Sequence, residues 1–333
     1  KLVTEFVQGD FKDYDTVLNF GKDKDLVTIE IENVNVEALK ELKKMGVKVC
    51  PDPEHLELIK DKGLQKEFYK EQGIASGEYR LIKSKSEITA ADFPVAQKLR
   101  TGGYDGKGVQ ILKSMSDMDR AFDAPCVLEK LVDIEKELAV IVARSASGEV
   151  KAFPVVELVF DPVANLVDFL ISPAQITEEQ QKESMELAMK VVDKMDFVGL
   201  LAVELFLSKD GSILVIEVAP RTHNSGHHSI EGNYTSQFEQ HLRAILDLPL
   251  GNTDLRGVAT MVNIVGEPDA NGKVKYEGLD ELLSLPKTYL HLYGKEDVKP
   301  YRKMGHVTAV SDSRENAIAI AKKIKETLKA THQ

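Results

Sequence analysis

Residues 200–221 read LLAVELFLSKDGSILVIEVAPR. Asp210-Gly211 between two apolar runs is a strong hairpin signal, because these residues accept the positive φ of a two-residue type I′ turn. With Asp210 and Gly211 at the tip, Lys209 faces Ser212, Leu207 faces Leu214 and Glu204 faces Glu217. Directly opposed residues have Cβ atoms about 5 Å apart. Two carboxylates at that spacing inside apolar strands repel, and burial sharpens the cost. A shared proton, the nearby Arg221 or a divalent cation could compensate. A bulge would instead shift the register and send the two glutamates to opposite faces.

A second stretch, QKLRTGGYDGKGVQIL at 97–112, bears on that choice. It is neither a P-loop nor a dinucleotide fingerprint, since Gly106-Lys107 is followed by Gly108 and no G-x-G-x-x-G can be read. Its apolar flanks predict strand, glycine loop, strand. Backbone N–H groups in such a tip can turn toward phosphate oxygens, although a plain mobile hairpin has the same pattern. Mg²⁺ is held by one or two carboxylates together with substrate phosphates, so a phosphate loop in the same chain favours the cation. After the second strand comes EVAPRTHNSGHH, where Pro220 ends the ladder and Gly226 permits a bend. Arg221, His223, Asn224 and His227 crowd there. Pro and Gly argue against the helical H-E-x-x-H of a zinc site, so Arg and His read as anion clamps and hydrogen-bond donors.

The 333 residues suit two or three domains, and 43% hydrophobic with 29% charged residues is a globular composition. A net charge of −11 without a basic block disfavours sequence-independent nucleic-acid binding. No apolar run approaches a membrane span and no signal peptide opens the chain. Cys50 and Cys126 cannot form a disulfide framework, which fits a reducing cytoplasm. The chain opens KLVTEFVQGD and soon enters DLVTIEIENV, which reads as the middle of a domain.

DLVTIEIE predicts a buried strand, the segment after it an amphipathic helix with Val36, Leu39, Leu42 and Met45 on one face, and VKVC a second strand. Together they form a parallel βαβ unit. One longer helix is expected from His55 to Gln72. Short strands dominate from Ile74 to Leu131. Beyond lie strands in KELAVIVAR, VKAFPVVELVF and LVDFLIS, then helices over TEEQQKESMELAMKVVDKM, Ser236 to Leu246 and SRENAIAIAKKIKETLKA. The expected class is α/β and α+β in three pieces: a partial α/β unit at 1–73, a small lid at 74–132 and a larger antiparallel α+β body at 133–333.

A glycine hairpin, paired glutamates on adjacent strands and a polar loop after APR resemble an ATP-grasp enzyme. RTGGYDGKG, EVAPRTHNSGHH, SQFEQHLRAILDLPL and YRKMGHV closely resemble the N5-carboxyaminoimidazole ribonucleotide synthetase family of purine biosynthesis. The resemblance implies an ATP-grasp body with a truncated pre-ATP-grasp domain. It implies a ligase that activates bicarbonate with ATP as carboxyphosphate and transfers the carboxyl group to 5-aminoimidazole ribonucleotide. By matching position it implies ATP contacts at Lys62, Lys98, Gly103, Asp105, Gly106, Lys107, Gly108, Glu157 and Ile216. Glu129, Lys130, Leu131 and Val132 would meet adenine, and Glu137 the ribose. Glu204 and Glu217 would bind Mg²⁺. Tyr104, Asp105, Arg221, His223 and Lys303 would act at the reaction centre. Glu30, Glu32, Asn224, Arg302 and Lys303 would meet the ribonucleotide. It also suggests a homodimer. The family opens with a glycine-rich turn after its first strand, and no such stretch occurs here, so the expectation is either a fragment or a protein whose opening residues lie outside this sequence. The rival readings are another ATP-grasp ligase, such as the formate-using glycinamide ribonucleotide transformylase, and a non-catalytic ATP-binding module.

Overall fold

The computed structural model describes residues 3–103, 108–160 and 167–333. The N-terminal part contains helix α1 (Tyr14–Gly21), strand β1 (Leu26–Thr28), helix α2 (Val36–Lys44) and strand β2 (Lys48–Cys50). The two strands pair in parallel, as the βαβ reading requires. Asn35 caps α2 through its side chain, and Ala38, Leu39 and Leu42 bury its apolar face. The first strand is shorter than expected. It ends at Thr28, so Glu30 and Glu32 lie in the following turn and no strand pleat sets their faces.

The expected single helix from His55 to Gln72 is two helices, α3 (Pro53–Lys60) and α4 (Lys62–Glu71). Asp61 stands between them with extended φ and ψ and caps α4 by accepting from the Gly63 and Leu64 N–H groups. Its carboxylate also takes a two-pronged ion pair from Arg100, at 2.8 and 2.7 Å. The Lys62 N–H donates to the Arg100 carbonyl at 2.8 Å. The start of α4 is thereby tied to the base of the glycine hairpin.

The lid is a four-stranded sheet of β3 (Tyr79–Ile82), β4 (Val95–Leu99), β5 (Val109–Leu112) and β6 (Cys126–Lys130), in the order β3-β6-β4-β5. β4 and β5 pair antiparallel on either side of the glycine stretch.

The body begins with β7 (Ile134–Arg144), β8 (Val150–Ala152), β9 (Val156–Phe160) and β10 (Val167–Ser172). Helix α5 (Glu178–Lys194) starts from a capping box between Thr177 and Gln180. Then follow β11 (Gly199–Ser208), β12 (Ile213–Ala219), α6 (Ser229–Gly232) and α7 (Gln237–Ile245). The last segment carries β13 (Val258–Val265), β14 (Gly272–Glu277), α8 (Leu279–Leu283), β15 (Thr288–Leu292), β16 (Asp297–Val298), β17 (Lys303–Ser311), α9 (Arg314–Thr327) and β18 (Lys329–His332). One antiparallel sheet runs through the whole body in the order β12-β11-β7-β9-β10-β13-β17-β15, with β8 on β7. Leu138, Val140 and Val142 of β7 pack under Ala188, Val191 and Val192 of α5. Val262, Ile264 and Val307 pack under Ala321 and Ile324 of α9. These layers leave the opposite face of β7 and β11 toward α7 and the site.

Candidate active site

Glu204 and Glu217 are cross-strand partners, but the hairpin reaches that pairing by a different route. The Ser208 N–H bonds the Ser212 carbonyl at 2.9 Å, leaving three residues in the turn, with Gly211 at φ 89°. Leu207 therefore faces Ile213, not Leu214, and Lys209 does not face Ser212. A bulge next to Glu204 absorbs Ile216 and restores the register, so the carboxylates meet. A three-residue turn with glycine in the left-handed position is a common hairpin alternative that Asp-Gly also permits. Ile216 is the half-buried residue of that bulge.

Glu137 lies opposite Phe206, and Glu204 lies opposite Ala139, so Glu137 and Glu204 share one face of the sheet. Glu157 lies opposite Leu138 and is on the other face. There it pairs with Lys136 at 2.8 Å and Arg314 at 2.6 Å. The pleat thus separates Glu157 from the carboxylate cluster, contrary to its expected place among the ATP contacts.

Helix α4 lays two lysines on this cluster one turn apart. Lys62 forms an ion pair with Glu217. Lys66, almost fully buried, pairs with Glu129 at 3.3 Å, and Lys98 of β4 reaches the same carboxylate at 3.0 Å. Burial pushes the Glu204 carboxyl up to about 8, with Glu217 and Glu137 adding to the rise against Lys62 and Lys303. Burial also acts to raise Glu217, yet Lys62, Lys98 and His223 hold it below its usual range. Glu137 is pushed up by burial, which Lys98 partly offsets. The Glu217 side chain remains 45% exposed and that of Glu204 23%, so the pair still reaches solvent.

The loop after β12 supplies the polar groups expected of it. His223 places Nε2 3.8 Å from a Glu204 oxygen. Its Nδ1 accepts from the Ser225 N–H at 3.4 Å and lies 2.9 Å from the Ser225 hydroxyl, so the proton sits on Nε2. Burial, with Arg221 and Lys303, depresses the imidazole to about 3, so it is neutral. Arg221 lies 3.0 Å from Glu32. Asn224 forms a reciprocal amide pair with Asn263 at 2.9 and 3.1 Å, which occupies the side chain expected to meet substrate.

Lys303, at the start of β17, acts electrostatically on Glu204, His223 and His227. Arg302 donates to the Asp297 carbonyl at 2.6 Å. Lys295 was absent from the sequence expectations. Burial lowers its pKa, and Arg302 and Lys303 lower it further, while Glu30 pulls the other way. Burial and Glu30 also push the Tyr293 hydroxyl up to about 12. Glu30, Tyr293, Lys295, Arg302 and Lys303 are therefore electrostatic neighbours. The density of Lys and Arg between 295 and 303 was the available sequence signal. On the lid, Lys130 pairs with Glu78 at 3.7 Å, Leu131 is exposed and Val132 is half-buried. Gly103 and Gly108 flank the hairpin tip, whereas Tyr104, Asp105, Gly106 and Lys107 lie outside the described residues.

Residues 67–238 match the ATP-grasp domain, 259–320 the phosphoribosylaminoimidazole carboxylase C-terminal domain, and 1–60 the ribonucleotide synthetase preATP-grasp domain. An N5-carboxyaminoimidazole ribonucleotide synthase from Synechococcus elongatus is 41% identical over 85% of this chain and 73% of its own length. The chain belongs to the N5-carboxyaminoimidazole ribonucleotide synthase family. A Thermotoga maritima structure of that synthetase superposes with a TM-score of 0.90 at 43% identity, covering 98% of this chain and 87% of the other. An Aspergillus clavatus N5-carboxyaminoimidazole synthase, described in complex with ADP and 5-aminoimidazole ribonucleotide, superposes with a TM-score of 0.87 at 33% identity, covering 98% and 87%.

As a member of this family the chain is an ATP-grasp ligase, and its acidic face can be tested for a metal. Glu204 and Glu217 offer hard oxygen donors side by side, and the Lys62 ammonium against Glu217 marks a place where positive charge is favoured. Among the described residues no cluster of three or more His, Cys, Asp or Glu is arranged to hold a metal. Two carboxylates completed by phosphate oxygens and water suit Mg²⁺ and do not suit a closed protein cage.

Proposed function

We propose that this chain carboxylates 5-aminoimidazole ribonucleotide at its exocyclic amine, using bicarbonate and MgATP. The observation that carries the reading is the cross-strand Glu204–Glu217 pair with Lys62, Lys98, His223 and Lys303 as its electrostatic neighbours. In the first step a bicarbonate oxygen forms a bond to the γ-phosphorus and the bond to the β–γ bridging oxygen breaks, leaving ADP and carboxyphosphate. In the second, the amine bonds to the carboxyl carbon, inorganic phosphate departs, and the amine proton passes to solvent or phosphate. Phosphoryl transfer is chiefly positioning and charge neutralisation. Glu204 and Glu217 would hold the magnesium, which supplies that neutralisation when bound. Lys62 and Lys98 orient phosphate oxygens. The neutral His223 donates from Nε2 to the carboxyphosphate, and Arg221 stands beside it. Lys295, Arg302 and Lys303 form a cationic end that suits the ribonucleotide phosphate.

A homodimer fits the exposed side chains of Phe238 and Leu242 on α7 and of Tyr234 and Leu246 at its two ends, an apolar stripe of the kind that associates. A reducing, cytoplasmic setting fits the two unpaired, buried cysteines. Among the described residues no helix is long and apolar enough to cross a membrane.

ADP release with MgATP tests the proposal. Release that requires the ribonucleotide and rises with bicarbonate is expected. Release that answers instead to formate and glycinamide ribonucleotide would replace this reading with a transformylase. ATP binding without turnover would replace it with a nucleotide-binding module.

A further inference from the structure

Gln237, the first residue of α7, is fully buried. Its Oε1 accepts from the His223 N–H at 2.9 Å, and its Nε2 donates to the His223 carbonyl at 2.8 Å. The same Nε2 lies 2.9 Å from His227 Nδ1. A main-chain N–H can only donate, so this pattern fixes which end of the amide is oxygen. Both Nε2 hydrogens are then assigned, and His227 Nδ1 must present its lone pair. His227 is the Nε2–H tautomer. Burial, with His223, Lys303, His228 and Arg221, depresses its pKa to about 3, which keeps it neutral. The His227 ring also faces His306, at a centroid distance of 5.0 Å, and Phe238 at 5.7 Å.

The surroundings are built for this amide. The Gln237 N–H donates to the Ser229 hydroxyl at 2.8 Å, and that hydroxyl donates to the Gly226 carbonyl at 2.5 Å. A Cβ on Gly226 would stand 2.4 Å from Gln237 Oε1, so the glycine is what lets the carboxamide reach the loop.

We propose that Gln237 is a positioning residue for carboxyl activation: it clamps both main-chain groups of His223, which sets where that imidazole presents Nε2–H, and it locks the tautomer of His227. The role in activation rests on the function proposed above; the clamp itself does not. Misplacing a reacting group by about 1 Å can cost roughly 100-fold in rate.

Two measurements decide it. Nitrogen-15 NMR of histidine-labelled wild-type protein at neutral pH should show His227 protonated at Nε2 and bare at Nδ1. Protonation at Nδ1 would overturn the clamp without any variant. Gln237→Met keeps the length and deletes every side-chain hydrogen bond, while Gln237→Glu keeps an acceptor for the His223 N–H and loses both donors. Both should lower kcat about 10–100-fold with KM for ATP within about twofold. Wild-type kcat in either folded variant, or ATP affinity falling in step with kcat, would overturn the positioning role. Should the wild-type protein show no ribonucleotide-dependent turnover, the activation role falls together with the proposed function. The NMR result still accepts or rejects the clamp.

Discussion

Glu204 and Glu217 face each other across β11 and β12, and the bulge at Ile216 is what brings them into register. The arrangement is costly for the ligand-free protein, because burial and the neighbouring Glu217 and Glu137 all oppose ionisation of Glu204. A site that stores charge in this way trades stability for binding.

Glu204→Gln should therefore stabilise the metal-free protein while abolishing turnover. Thermal unfolding without divalent ions should shift upward by about 1–3 °C, and ADP release with MgATP should disappear. A variant that turns over normally would remove Glu204 from the site.

Lys62 neutralises Glu217 in the structure and is the expected partner of ATP phosphate. Lys62→Met should raise KM for ATP about tenfold or more, since a hydrogen bond to a charged group contributes about 1.5–3 kcal/mol. Nucleotide titration by calorimetry would measure it. An unchanged affinity would assign Lys62 to electrostatic support of Glu217 alone.

Asp61 links helix capping to the lid through Arg100. Burial acts to raise its pKa, but hydrogen bonds from Arg100, Gly63 and Leu64 hold it below the usual aspartate value. Its contribution to stability is thus complete above the unfolded value of about 3.9 and is lost as pH falls through the folded value. Asp61→Asn should cost about 1–2 kcal/mol at neutral pH. The gap from wild type should narrow in urea unfolding near pH 3. A gap that widens with acid would contradict the ion pair.

Lys295 shares its surroundings with Arg302 and Lys303. Lys295→Ala should raise KM for 5-aminoimidazole ribonucleotide about 10–100-fold and leave KM for ATP unchanged. Steady-state kinetics varying each substrate separates the two. An effect on ATP alone would move the cationic cluster away from the ribonucleotide.

The sequence was legible where structure is local. Asp210-Gly211 announced a hairpin, and the glutamate pairing followed, although the two-residue turn was a three-residue turn corrected by the Ile216 bulge. A periodicity argument cannot register two compensating one-residue shifts. The same argument ran one helix through Asp61, because the partner that holds the break, Arg100, is 39 positions away. It also extended β1 through Glu30 and Glu32, where alternation persists but the ladder has ended. Glu157 shows the converse: its place on the wrong face follows from its pairing with Leu138, which no single strand reveals.

The sequence by itself determined the paired carboxylates, the glycine hairpin, the polar loop after Pro220 and the family they resemble, because each is written in a short run of residues. Only the tertiary structure decided which charges meet. Lys62 reaches Glu217 across 155 positions, and Gln237 grips His223 from α7, beyond the intervening α6. Such contacts depend on how whole sheets and helices stack. Burial then sets the charge states, since the cost of an ion depends on what surrounds it in three dimensions.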